Sequence, residues 1–168
     1  ARSAPDGYTL LVGAVHHTIA VSMYPRLGYD LQKDLTPVTV LSYVPNVLAL
    51  NPQRVAARSY AAFAEHVKAN PGRLNYGSAG NGTTHHLTLD ELGVKGYDAR
   101  TWYAIWAPAN TPKEIVVRLQ QETAKALASA ELKAIWENLG AEPGGQAPDE
   151  MGRFVESEIA KWAQVVKD

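Results

Sequence analysis

Met151, Phe154, Val155, Ile159, Trp162, Val165 and Val166 recur every three or four positions and share one face of a helix that starts near Pro148-Asp149-Glu150. A stripe of that width cannot stay in water. It must lie on a surface of comparable size, and short β-rich runs upstream supply one. The helix is therefore predicted to dock on a sheet through Phe154, Ile159 and Trp162. Strand-like and helical segments alternate along the chain, which defines an α/β domain.

Tyr8-Thr9-Leu10-Leu11-Val12-Gly13 reads as a strand buried on both faces, entering a loop Gly13–Thr18 and a weak helical patch from Ile19 to Met23. Thr36 to Asn51 is rich in Val, Leu and Tyr but contains Pro45, so two strands joined by a crossing at Pro45-Asn46 are expected. Ser59 caps a helix carrying Tyr60, Phe63, Ala64 and Val67, and Asn70-Pro71-Gly72 stops it. Arg73–Gly77 is a further predicted strand, and Thr101–Ala107 an aromatic-rich one that closes on Pro108. Thr111-Pro112-Lys113-Glu114 has the form of a capping box with Thr111 at N-cap, ahead of Ile115, Leu119 and Leu127. Ser129 caps the next helix, through Leu132, Ile135, Trp136 and Leu139, and Gly140 ends it. The tryptophans at 102, 106, 136 and 162 fall at core spacings.

Charge and composition exclude several classes of function. Sixteen basic residues against seventeen acidic ones leave a net charge of −1, with no broad footprint for nucleic acid. The absence of cysteine removes disulfides, thiolate metal sites and a Cys nucleophile. No apolar run approaches the roughly 20 residues of a membrane span. The start, Ala-Arg-Ser-Ala-Pro-Asp-Gly, lacks a basic and apolar leader, so no signal peptide is expected in the chain as given.

Two loops remain as candidate sites, each at the C-terminal end of a predicted strand, where open α/β sheets hold ligands. Ser78-Ala79-Gly80-Asn81-Gly82-Thr83-Thr84 combines glycines, which allow close backbone approach, with hydroxyl and amide donors. A helix opening behind it would add free N–H groups that favour an anion. The same composition also suits a plain connecting turn. The loop has no P-loop lysine, so nucleotide binding is not expected. His16-His17 and His85-His86 invite a metal reading, but adjacent side chains diverge and neither loop contains Asp or Glu. Ser78 and His85 lack the G-x-S-x-G elbow and orienting acid of a hydrolase. No enzyme activity, cofactor or metal is expected.

"PDGYTLLVGAVHHTIAVSMYPRLGYDLQKDLTPVTVLSYVPNVLALNP", "ANPGRLNYGSAGNGTTHHL", "TWYAIWAPANTPKEIVVRLQQE" and "GAEPGG…EIAKWAQVVKD" follow one another in the order of a known family. Together they resemble the Bug-type extracytoplasmic solute-binding receptors of the tripartite tricarboxylate transporter family. The resemblance implies an α/β domain of periplasmic-binding-protein type II, forming one lobe of a clamshell. It also implies a periplasmic location, a small organic anion (a di- or tricarboxylate) as ligand, and a membrane permease as partner. The implied ligand-binding residues are Ala14, Val15, His16, His17 and Thr18 in the first loop. In the second they are Ser78, Asn81, Gly82, Thr83 and Thr84.

The chain departs from that family in two places. The family's opening strand and its P-F-x-x-G-G-x-x-D loop do not precede Ala1. Leu87 is joined directly to Thr88, where the family places most of its second lobe. The expectation is one α/β domain over residues 1–168, with the second lobe deleted at about 87–88. The competing explanation is that connecting residues have been left out of the sequence. A true deletion would bare sheet edges, for which domain swapping or homo-oligomerisation offers a repair. A non-binding, self-associating α/β scaffold thus stands as the alternative to a carboxylate receptor, with a His-based metal site as a third.

Overall fold

The computed structural model of the protein describes residues 1–70, 73–75 and 100–166. Its centre is a four-stranded sheet in the order β1-β3-β2-β4. The strands are β1 (Leu11–Ala14), β2 (Leu35–Val44), β3 (Thr101–Pro108) and β4 (Glu142–Pro143), and neighbouring strands are antiparallel. The helices are α1 (His16–Met23), α2 (Tyr60–Ala69), α3 (Lys113–Leu127), α4 (Ala130–Leu139) and α5 (Pro148–Val165).

Alternation along β3 builds two layers. Trp102, Ala104 and Trp106 point into the larger core, under α1 and α5, with Val15, Ile19, Val40, Met151, Val155 and Trp162. The other face of the sheet packs Val38 and Ala107 against Val116 of α3, with Ile105 and Leu119 beside them. The predicted stripe of α5 is thereby realised. Met151 and Trp162 are fully buried, and Phe154, Ile159, Val165 and Val166 pack at the margin.

β2 changes face as it crosses the sheet. Its register against β3 shifts between Pro37 and Thr39 and again between Val40 and Ser42. Pro37, Val40 and Tyr43 consequently sit opposite Trp106, Ala104 and Trp102. Val38, at the first shift, packs into the second layer. Pro37 is tolerated within the strand because β4 pairs only with Ser42 and Tyr43, leaving no ladder on that side at position 37. The chain then turns back over the bulged strand. Gly144 and Gly145 donate their N–H groups to Leu41 and Val40 carbonyls at 2.9 and 2.8 Å. A Cβ on Gly144 would stand 2.1 Å from the Val40 oxygen, so this approach requires glycine.

Several expected elements differ. β1 is shorter than predicted and, among the described residues, lies at the sheet edge with β3 on one side. Val12 is 63% exposed instead of doubly buried. The segment after Val44 contains no second strand: Pro45 ends β2, and the chain runs irregularly to Ser59. Arg73–Asn75 is not in a strand, and the rest of that predicted element lies outside the described residues. The predicted loop Gly13–Thr18 is mostly the first turn of α1. Thr111 does not cap α3, because its hydroxyl donates to the Pro108 carbonyl at 2.7 Å and Pro112 takes the cap position. Trp136 is only half-buried, on a helix whose Ile135 and Leu139 face solvent. The caps at Ser59 and Ser129 form as predicted, accepting from Ala62 and Leu132 N–H, and Gly140 ends α4 with φ 62°.

One carboxylate inside the larger core has no counterpart in the predicted pattern. Glu158 is 6% exposed, and its Oε2 accepts from Trp102 Nε1 at 2.9 Å and Trp162 Nε1 at 3.2 Å. Lys161 pairs with its other oxygen. Replacing Trp162 with Ala empties a fully buried site and frees this acceptor, so it should cost about 3–5 kcal/mol in urea unfolding. A loss under about 1 kcal/mol would mean that the α5 face is not core.

Candidate functional site

The first candidate segment lies at the C-terminal end of β1, where the strand passes into α1 with no intervening loop. Val15 is the N-cap residue, and its N–H extends the β1–β3 ladder by donating to the Trp102 carbonyl at 3.1 Å. Its carbonyl then accepts from Thr18 N–H at 3.0 Å and from the Thr18 hydroxyl at 2.7 Å. Ala14, Val15 and Thr18 are buried, and the Thr18 hydroxyl already has its partner. These three therefore build the turn from beneath. His16 is exposed and His17 half-buried, so the accessible part of the segment is the imidazole pair and the backbone at the helix start.

The two rings lie against each other, tilted by 37° with centroids 4.3 Å apart. His17 Nδ1 is 2.7 Å from the Tyr29 hydroxyl, and its ring meets Trp106 edge-on at 6.0 Å. Burial holds the His17 pKa below the ordinary value of 6.5, and the neighbouring His16 pushes in the same direction. At neutral pH the segment thus presents neutral imidazole and the positive end of a helix dipole, an environment compatible with an anion.

Ser78, Asn81, Gly82, Thr83 and Thr84 lie outside the described residues, as do His85 and His86. Among the described residues no group of three or more His, Asp and Glu side chains could hold a metal ion. An open cleft of about 520 Å³ lies along the connection from α1 to β2, lined by Val21, Tyr24, Tyr29 and Leu31 with Asp30 and Asp34. Its carboxylates form the turn itself. Asp30 accepts from Gln32 and Lys33 N–H at 3.0 and 3.1 Å, and Asp34 from Asp30 N–H at 2.8 Å. Two acidic groups make it a poor seat for an organic anion.

Tyr29 and Glu158 are the positioning groups that sequence reasoning missed. Glu158 was detectable, since it sits four residues before Trp162 on the same helical face. Tyr29 carried no local signal.

The structural class follows from comparison of the whole chain with solved proteins. It superposes on the periplasmic binding protein BugD with a TM-score of 0.72 at 19% identity, covering 99% of this chain and 79% of that one. The fold is therefore that of a periplasmic binding protein. Rpa4515 of Rhodopseudomonas palustris, solved with adipate, superposes with a TM-score of 0.80 at 26% identity, again over 99% of this chain and 79% of that one. BugT of Bordetella pertussis is 25% identical over 240 aligned positions, covering the whole chain and 73% of BugT. The family model described as tripartite tricarboxylate transporter family receptor matches residues 1–92 and, separately, 88–168. The chain belongs to that receptor family.

Thr18→Val keeps the shape and β-branching of the buried side chain while removing its bond to Val15. It should lower stability by about 0.5–1.5 kcal/mol in chemical unfolding. An unchanged midpoint would show that the hydroxyl does not brace the turn.

Proposed function

We propose that the protein is the extracytoplasmic receptor of a tripartite tricarboxylate-type transporter, binding a small dicarboxylate in the periplasm and delivering it to a membrane permease. It has no catalytic role in this reading. The observation that carries it is the likeness to the adipate-bound structure over nearly all of the chain at 26% identity. The helix start at the end of β1 supports it, since its dipole favours a carboxylate.

The second contact surface in this reading is the loop carrying Ser78, Asn81, Gly82, Thr83 and Thr84. Its backbone N–H and hydroxyl groups would hold the ligand carboxylate without a cationic side chain. The second lobe is shortened near Leu87–Thr88. Two facts support this. The BugT alignment runs over 240 positions although the chain has 168 residues, so BugT has sequence with no counterpart here. The family model also matches in two pieces that meet at residues 88–92. A ligand meeting fewer donors and less enclosing surface binds more weakly, so affinity below that of full-length relatives is expected.

Calorimetry with adipate, on protein whose intact mass confirms the Leu87–Thr88 junction, tests the reading. Thr83→Val should weaken binding about ten- to hundredfold, the loss expected when one charge-assisted hydrogen bond is removed. Unchanged affinity in a variant of a protein that does bind would remove the loop from the site. No binding by a chain shown to contain a complete second lobe would end the receptor assignment.

A further inference from the structure

The imidazole of His17 occupies the space that a side chain at position 13 would fill. A Cβ on Gly13 would stand 2.6 Å from His17 Cδ2, 2.7 Å from its Nε2 and 3.0 Å from the Trp106 ring. Glycine is required there for close approach. The ring is thus gripped by residues of three segments: Gly13 of β1, Trp106 of β3 and Tyr29 of the connection to β2. The fourth contact is His16, tilted against its outer side.

We propose that His17 is the positioning residue of the α1 start: its neutral imidazole clamps the first helical turn to the sheet, and protonation loosens that clamp. The consequence for solute binding rests on the receptor reading above, whereas the clamp itself rests on the packing. Every group facing the ring disfavours a second positive charge or is indifferent to it. Gly13 and Trp106 are uncharged, His16 is a second base, and the ring lies in the first turn of a helix, at the positive end of its dipole. Tyr29 contributes a neutral phenol. Asp30 and Asp34 are nearby in sequence but bond to their own turn and to Lys33. α5 also packs on α1, yet its buried Glu158 is held by Trp102 and Trp162.

The sign follows from linkage. The unfolded chain takes up a proton at His17 near pH 6.5, while the folded chain resists until a lower pH. Stability from the clamp is fully present above 6.5 and is lost as pH falls from there through the folded-state pKa. The ordering of the helix start declines over the same window.

Imidazole NMR of the ligand-free protein between pH 4.5 and 8, read beside melting temperature, tests this. The His17 midpoint should fall below 6.5. It should move up toward that value in His16→Gln, where the like charge is gone. His17→Gln keeps a polar group for Tyr29 but cannot titrate, and should lose the part of the acid decline in melting temperature that begins at 6.5. A midpoint at or above 6.5, or an identical acid decline in His17→Gln, would overturn the proposal. If that variant does not fold, the wild-type midpoint and the His16→Gln shift decide alone. Adipate calorimetry on the same samples separates the two readings. A depressed His17 midpoint in a protein that binds no adipate would leave the clamp standing and remove its consequence for solute binding, while the receptor reading itself would fall only if a chain shown to contain a complete second lobe also fails to bind.

Discussion

A carboxylate sealed among aromatic rings is the interaction on which the lobe turns. Glu158 belongs to α5, Trp102 to the first turn-out of β3, and their hydrogen bond joins the last helix to the central strand. Burying an ionised carboxylate costs several kcal/mol unless hydrogen bonds replace its hydration. Here two indole N–H groups and the Lys161 ammonium replace it. The indoles gain as much as the carboxylate, because each is at most 1% exposed and would otherwise bury an unpaired donor. The interaction therefore constrains specificity more than it adds net stability. α5 can slide or rotate on the sheet only by breaking the Trp102 bond, since the Trp162 bond lies within the helix, so that one contact fixes its angle on the central strand.

What could be read from the chain beforehand divides along a physical line. Features governed by neighbours in sequence were legible: the caps at Ser59 and Ser129, the glycine end of α4, the stripe of α5, the limits of β3. Features governed by a partner strand were not. The run Leu35–Val44 lacks a two-residue alternation because two bulges shift its faces, and the partners of Trp106, Ala104 and Trp102 recur every third residue. Only β3 determines where those bulges fall. Similarly, Thr111 has every local mark of an N-cap, yet its hydroxyl serves the Pro108 carbonyl where the strand ends. A tertiary requirement displaced a local preference.

The candidate site shows the same division. The end of β1 was legible as the point where the chain leaves the sheet, although α1 begins there at His16 and not after a loop. The roles within it were not, because a residue's accessibility depends on what lies beneath it. Thr18 was implied as a ligand-binding residue, and its buried hydroxyl donates to the Val15 carbonyl, while the ring of His17 fills the space above Gly13. Gly13 itself read as the end of a strand, and its actual requirement is the imidazole four residues on. Tyr29, which completes that arrangement, comes from a connection with no motif.

The sheet also sets the central excursion of the chain apart from the core. Val44 and Thr101 face each other in the β2–β3 pair, so the chain leaves the sheet and returns to it at the same end. Thr101 is bonded there to Asn46 at 3.1 Å, and Arg100 lies over the Tyr43 ring and 3.6 Å from Glu142. These contacts close the base of the excursion between residues 44 and 101. Among the described residues, the members of both core clusters lie outside it, from Leu11 to Tyr43 and from Trp102 to Val166, while Val55, Phe63 and Ala64 are buried within it. A loss of sequence inside the excursion consequently removes no member of either cluster and leaves the Glu158 bonds intact. A change within the excursion would fall first on its own buried residues, Val55, Phe63 and Ala64 among them. The sheet and its two packed layers are thereby set apart from the excursion, which leaves and rejoins them at one end.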